Sequence, residues 1–296
     1  MRRIIGIKDA NGKLVDPVCM VGTHSTTDFD VHIWESNGHR EMSVRPVVYW
    51  EEDPDWREPR DLFPDQPSLE QIKDEEDRRL RNLEKSARRA TTTCRRVIKA
   101  EAFNEMLTLT YRENQTDREL CKKHFSIWSK RMKRALGEFR YCASFERQER
   151  GSMHIHCATH KLPKSAVHKG AVVKAWQLGT KIWRDIVGED NGLCFVGGKT
   201  KFGGSRRNLS SAKMAAYVSK YIMKDFADAP EESNRYSRSN GTLPKPQKMT
   251  FYGTSMGELI GALFECKDGD CIVSHSVGKW GDSYWLCTEP DPYYLQ

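Results

Sequence analysis

The stretch FRYCASFERQERGSMHIHCATH, which runs from Phe139 to His160, decides the fold of this chain. Apolar and polar residues alternate in both of its halves, and this alternation predicts two β-strands. Arg150-Gly151-Ser152 lies between the halves and predicts a hairpin loop, because its glycine can adopt a positive φ. His154 and His156 therefore project side by side from one face of the second strand.

The length of the loop sets which residues of the hairpin face each other. A three-residue loop places Glu146 opposite His156 and Gln148 opposite His154, with all four polar groups on one face. A two-residue loop would instead place Glu146 opposite Ile155. Two imidazoles with a carboxylate or amide oxygen form a three-ligand set that suits a divalent ion and leaves positions open for a substrate oxygen.

A second motif, SSAKMAAYVSKYIMKDF, runs from Ser210 to Phe226. Beyond its two serines, either of which is a suitable N-cap, it lacks glycine and proline and predicts a helix of about four turns. Tyr217 and Tyr221 lie on one face, and Lys220 and Lys224 form a neighbouring stripe. The alternative interpretation is that the tyrosines belong to the apolar stripe of the helix and pack in the core.

Three motifs in this order resemble those of the HUH endonucleases: TLTY at Thr108 to Tyr111, E-x-Q-x-x-G-x-x-H-x-H at Glu146 to His156, and YVSKY at Tyr217 to Tyr221. The spacing is similar to that of two-tyrosine rolling-circle replication initiators of single-stranded DNA phages and related plasmids. Conjugative relaxases place the tyrosine before the histidines, and insertion-sequence transposases usually carry one tyrosine. A relaxase or transposase of the same chemistry remains the alternative within this superfamily.

The resemblance implies an enzyme that nicks one DNA strand at an origin, stays joined to the 5′ phosphate through tyrosine, leaves a free 3′ hydroxyl and later rejoins the strand. It implies Mg²⁺ or Mn²⁺ as cofactor and single-stranded origin DNA as partner. By the resemblance, the metal ligands are His154, His156 and Glu146, the first nucleophile is Tyr217, the second is Tyr221, and Lys220 assists at the phosphate.

His160 competes with Glu146 for the place of third ligand, because some relaxases use three histidines. We favour Glu146, since the hairpin brings it beside His156. His160 lies about 13 Å along the strand from His156, at roughly 3.3 Å per residue.

The surrounding sequence predicts an α+β fold. EMLTLTY (Glu105 to Tyr111) predicts a strand, and the capping box at Thr116 to Glu119 opens a helix that ends at Gly137. After the hairpin, a helical stretch near Val172 to Val187 and a strand at Leu193 to Val196 precede the tyrosine helix. This β-α-β-β-α-β-α order predicts a split βαβ (ferredoxin- or RRM-like) antiparallel sheet, with helices on one face and the tyrosine helix over the other. The histidine strand would be central.

We expect three segments: an N-terminal extension and linker (1–67), the endonuclease domain with a leading charged helix (68–230), and a mobile loop with a small C-terminal lobe (231–296). The net charge is +7, and basic residues cluster before and within the tyrosine helix, where they are candidates for DNA phosphate contacts. These candidates are Lys199, Lys201, Arg206, Arg207, Lys213 and Lys224.

Composition narrows the class of protein. Hydrophobic residues make up 38% of the chain, and no apolar run approaches the roughly 20 residues that span a bilayer. The short apolar sequence after Met1-Arg2-Arg3 does not suit a signal peptide. We therefore expect a cytoplasmic protein of a bacterial host. No GxxxxGK loop occurs, so a host helicase would act alongside the host polymerase.

Two other functions stay open. A non-catalytic nucleic-acid binder on an RRM-like sheet would carry aromatic residues on the exposed sheet face, where this chain is expected to carry Glu146, Gln148, His154 and His156. A metallohydrolase acting on a small molecule would need further downstream ligands.

Overall fold

A computed structural model describes residues 1–10, 14–57, 69–199, 205–206, 210–224, 234–241, 243–265 and 270–290. The strands are β1 (Arg2–Lys8), β2 (Leu14–Ser36), β3 (His39–Glu52), β4 (Glu105–Tyr111), β5 (Tyr141–Arg147), β6 (Met153–Thr159), β7 (Ser165–His168), β8 (Ala171–Lys174), β9 (Gly192–Val196), β10 (Gly198–Lys199), β11 (Ser205–Arg206), β12 (Tyr236–Arg238), β13 (Gln247–Phe251), β14 (Cys271–Val277) and β15 (Tyr284–Glu289). The helices are α1 (Leu69–Ala100), α2 (Arg118–Leu136), α3 (Ala175–Val187), α4 (Ser211–Lys224) and α5 (Met256–Glu265).

The chain is a mixed α+β protein with antiparallel sheets, as the sequence predicted. Its contacts form two compact units, one of Met1–Gln71 with Lys245–Gln296 and one of Ile72–Pro244. Among the described residues, no helix is long and apolar enough to cross a bilayer.

The first unit is a sheet in the order β1-β2-β3-β15-β14, with β13 also paired to β2. Asn37 and Gly38 both have positive φ in the tight turn between β2 and β3. Leu259 and Leu263 of α5 are buried in a cluster with residues of β2, β3 and β15. Strands from both ends of the chain thus share one sheet, whereas the sequence analysis treated the two ends as separate segments.

The second unit is built on a sheet in the order β12-β5-β6-β4-β9, with the histidine strand β6 at its centre. Every strand pair in it is antiparallel. Leu107 and Leu109 belong to the cluster that holds α2 and α3 on one face. Met106 and Ala158 belong to the cluster that holds α1 and α4 on the opposite face. The sheet therefore lies between two helical layers.

Two local predictions need correction. The N-cap of α2 is Asp117 and not Thr116, because the Asp117 carboxylate accepts hydrogen bonds from the backbone N–H groups of Glu119 (2.8 Å) and Leu120 (3.0 Å). The helix near Val172 begins only at Ala175, because the preceding residues form β8, which pairs with β7. The C-cap at Gly137, with φ 80°, is as predicted.

Candidate active site

Two rows of side chains cross the sheet face on the α4 side. The register aligns Ser144, His156, Thr108 and Phe195 in the first row and Glu146, His154, Thr110 and Leu193 in the second. The next row on the other side of the first is apolar and consists of Cys142, Ala158 and Met106. One end of the face is therefore polar, and the other end is part of the core.

The predicted register of the hairpin is wrong. Glu146 pairs with His154 and not with His156, and the loop extends from Gln148 to Ser152. Backbone hydrogen bonds inside this loop explain its length: Gln148 N donates to Ser152 O (2.9 Å) and Gly151 N to Gln148 O (2.8 Å), with Gly151 at φ 87°. A shift by two residues keeps every side chain on its predicted face, so Glu146 still shares a face with both histidines.

Helix α4 is held against the sheet by its apolar stripe. Ser210 is the N-cap, since its carbonyl accepts from Met214 N at 3.0 Å and its Oγ lies 3.5 Å from Lys213 N. The buried side chains on the helix that join the apolar row are Met214, Ala215, Val218 and Ile222. Tyr217 and Tyr221 project beside this stripe and line a cavity together with the histidines.

His156 is the point where the two motifs meet. Its ring stacks on that of Tyr221, with centroids 4.1 Å apart and an interplanar angle of 10°. The Tyr217 ring meets it edge to face at 5.5 Å. On its other side, His156 Nε2 lies 2.8 Å from Glu146 Oε2. An ionised carboxylate only accepts, so Nε2 carries the proton of this bond.

Glu146 is a buried anion with two partners. Its second oxygen, Oε1, accepts from Lys224 Nζ at 2.7 Å. Burial raises the pKa of the Glu146 carboxyl, but the hydrogen bonds from His156 and Lys224 outweigh this effect and hold the pKa below its ordinary value. Glu146 is therefore a carboxylate at neutral pH.

The two tyrosines differ in their surroundings. Tyr217 is 37% exposed, whereas Tyr221 is 7% exposed. Burial raises the pKa of Tyr221 most, and the neighbouring Tyr217 hydroxyl and the Glu146 charge raise it further. Lys220 Nζ lies 4.6 Å from the centroid of the Tyr217 ring and 4.9 Å from that of Tyr221. Tyr217 is thus the more accessible phenol, and both phenols lie close to one cation.

The face opens into a cavity of about 650 Å³. His154, His156 and Glu146 line its polar end, and Leu193 and Phe195 line its apolar end, near Lys213 on the rim. A second cavity of about 530 Å³ lies on the lysine side of Glu146 and is lined by Lys220, Tyr221, Met223 and Lys224. The carboxylate of Glu146 borders both spaces.

A metal site is not preformed here. In the part of the chain that the structure describes, no group of three or more His, Cys, Asp and Glu side chains is arranged to hold an ion. The donor set nevertheless suits a divalent cation, since two imidazoles and a carboxylate line one cavity. His156 Nδ1 is moreover buried and has no hydrogen-bond partner among the described residues. Glu146 would have to exchange its present partners for the ion.

The other predicted site residues lie in several places. Lys213 is exposed and lines the larger cavity, and Lys224 contacts Glu146. Lys201 and Arg207 lie outside the described residues, as do the side chains of Lys199 and Arg206. The alternative ligand His160 packs on Phe103, with ring centroids 4.9 Å apart, and does not line the cavity.

Sequence reasoning missed some of the lining. Ser144 and Phe195 join the row of His156, and the Lys224–Glu146 pair joins residues 78 positions apart. The alternation in β5 and β9 was a usable signal for the first two, because it places them on the histidine face. No local pattern indicates the ion pair.

Residues 104–226 match the family model of the replication-associated proteins of the ORF2 type. The matched range extends from the residue before β4 through α4 and so contains the two polar rows and both tyrosines. Searches of curated proteins and of solved structures gave no match. This part of the chain is therefore similar to replication-associated proteins.

Proposed function

We propose that the second unit is a metal-dependent endonuclease of the two-tyrosine HUH type, which nicks and rejoins single-stranded DNA at a replication origin. The observation that carries this proposal is the position of His156, which contacts Glu146 on one side and both tyrosine rings on the other. The strand order β5-β6-β4-β9 is consistent with a split βαβ sheet. The match to replication-associated proteins supports an origin as the substrate.

Tyr217 is the better candidate for the first nucleophile, because it is 37% exposed and lines the cavity. Its phenolic oxygen forms a bond to phosphorus, the bond from phosphorus to the 3′ oxygen breaks, and the phenol proton is lost as the 3′ oxygen gains one. The products are a 5′-phosphotyrosine and a free 3′ hydroxyl. Positive charge on Lys220 beside the ring favours the phenolate.

His154, His156 and Glu146 are the residues that would hold Mg²⁺ or Mn²⁺. A bound ion supplies positive charge that offsets the charge developing on the phosphate oxygens. The residues themselves orient the phosphate beneath α4, and the stacked Tyr221 ring keeps the His156 imidazole in place.

Tyr221 would act in the second half of the cycle. It would cut the regenerated origin while Tyr217 still carries the first 5′ end, and the newly released 3′ hydroxyl would then attack the Tyr217 phosphodiester. That attack restores the Tyr217 phenol and closes the displaced strand. Burial of Tyr221 fits a group that acts only once strand binding has rearranged the site.

The DNA partner is expected to cross the polar rows and contact Lys213 on the rim of the cavity, with Lys199, Lys201, Arg206 and Arg207 as further phosphate contacts. Host helicase and polymerase would open and copy the duplex. A bacterial cytoplasm is the setting in which these partners meet.

The test uses a library of single-stranded phage-origin hairpins with Mn²⁺. We expect a protein-DNA adduct that survives denaturation, disappears with a chelator and is lost in Tyr217→Phe during a first cleavage. Tyr221→Phe should still form it. Tyr252→Phe, at a tyrosine that is 72% exposed in the first unit, is the matched control. An adduct in the Tyr217→Phe, Tyr221→Phe double variant would exclude both tyrosines, and binding without any adduct would favour a non-catalytic DNA binder.

A further inference from the structure

Both oxygens of the Glu146 carboxylate are engaged by this chain's own groups. Oε2 accepts from His156 at 2.8 Å and Oε1 from Lys224 at 2.7 Å. The Glu146 side chain is 10% exposed, whereas that of Lys224 is 50% exposed. The anion is therefore fixed in the protein, and its lysine partner has one side in solvent.

Lys224 has room to leave. The cavity of about 530 Å³ on its side of Glu146 is separate from the histidine cavity and is lined partly by Lys224 itself. Lysine carries a compact charge on a flexible four-carbon stem, so its ammonium can move several ångströms without any backbone change. His156 has no such freedom, because it is stacked on Tyr221 and 4% exposed.

We infer that Lys224 is a displaceable counter-cation that couples ion binding to strand binding: a divalent ion takes its place at Glu146, and the released ammonium then contacts a DNA phosphate. This inference rests on the proposed function. It also accounts for two properties of Lys224 that would otherwise conflict, since a lysine neutralised by a buried carboxylate contributes little to DNA attraction.

Electrostatics sets the direction of the coupling. A divalent ion at Glu146 repels an ammonium within contact distance and competes with it for the same oxygen. Once released, Lys224 adds a positive charge at the end of α4 that also carries Lys220 and Tyr221. The ion therefore raises DNA affinity through its own charge and through Lys224, and by thermodynamic reciprocity DNA raises ion affinity.

The experiment uses the full chain with Tyr217→Phe and Tyr221→Phe, so that DNA binds without being cut. Lys224→Met is compared with Lys213→Met, which makes the same charge change on the same helix at a lysine that lines the larger cavity. Mn²⁺ affinity is measured by the electron paramagnetic resonance signal of the free ion. Affinity for a single-stranded oligonucleotide is measured by fluorescence anisotropy, in chelator and in saturating Mn²⁺.

We expect Lys224→Met to bind Mn²⁺ about tenfold more tightly than the parent, because a competing charge is gone. The enhancement of DNA affinity by Mn²⁺ should fall about threefold or more in Lys224→Met. Lys213→Met should weaken DNA binding by the same factor with and without the ion. Lys224→Arg is the conservative variant, and its forked guanidinium should hold Glu146 so that Mn²⁺ binds no more tightly than to the parent.

Two results would overturn the inference while leaving the proposed function intact: Mn²⁺ affinity that is equal or weaker in Lys224→Met, or a DNA defect in that variant that is the same in chelator and in Mn²⁺. Absence of Mn²⁺ binding in the parent protein would instead remove the metal from the proposed function and the inference with it. Thermal melting of each variant checks that it is folded.

Discussion

The distance between the tyrosines and His156 should depend on packing beneath α4, and Ala215→Leu tests this without changing a polar group. Ala215 is 1% exposed and lies in the cluster that joins α4 to the sheet. The opposite sheet face is already packed against α2 and α3. Added volume at Ala215 can therefore be relieved mainly by displacement of α4, which carries both tyrosines.

The size of the effect follows from this geometry. Overpacking of a filled core site costs about 1–3 kcal/mol, and for a chain of this size each kcal/mol lowers the melting temperature by about 2–4 °C. A shift of the nucleophile by about 1 Å lowers a reaction rate by about 100-fold. Loss of cleavage should therefore greatly exceed the loss of folded protein.

The assay compares Ala215→Leu with Ala216→Leu, the same substitution at the next residue of α4, which is exposed. Leucine is nearly as good a helix former as alanine, so the control should lose only a few tenths of a kcal/mol. Urea unfolding gives stability, and the rate of adduct formation well below the melting temperature gives activity. If Ala215→Leu formed adduct as fast as Ala216→Leu, packing beneath α4 would not set the active geometry.

Two further predictions concern charge and close packing. The pKa of Glu146 is lowered from its ordinary value of 4.5, so its partners stabilise the fold above that pH, and this contribution is lost as the pH falls through the lowered value. The unfolding free energy should consequently drop more steeply between about pH 5 and pH 3 in the parent than in Glu146→Gln, and equal slopes in urea titrations would contradict this. In Gly179→Ala, the new Cβ would lie 2.8 Å from Cys194 Sγ, and we expect a loss of about 1–3 kcal/mol. Cys194→Ala should recover part of it in a double-mutant cycle, whereas strictly additive losses would show that the contact is not the cause.

The sequence predicted the faces of the central strands well because alternation has a period of two. His154, His156 and Glu146 share a face in every register that differs by an even number of residues, and the observed register differs in that way from the expected one. The same reasoning could not give the register itself. Loop length depends on hydrogen bonds within Gln148 to Ser152, and these become visible only in three dimensions.

Pairing between distant segments was also beyond local patterns. β12 adds to the edge of the second sheet beside β5, and β15 joins β3 from the opposite end of the chain. Each strand has a recognisable composition, but its partner is chosen by the whole packed structure. The same holds for Lys224, whose contact with Glu146 depends on where α4 ends over the sheet.

The choice between a core stripe and a catalytic pair of tyrosines turns out to be a false opposition for α4. Val218 lies between Tyr217 and Tyr221 in sequence and is fully buried in the cluster that contains Ala158. His156 is the next residue along β6 on the same face as Ala158, at the border where the face becomes polar. Docking the helix by its apolar stripe therefore brings both phenols over the imidazole. The core contacts fix the position of the tyrosines, and the site depends on that packing for its geometry.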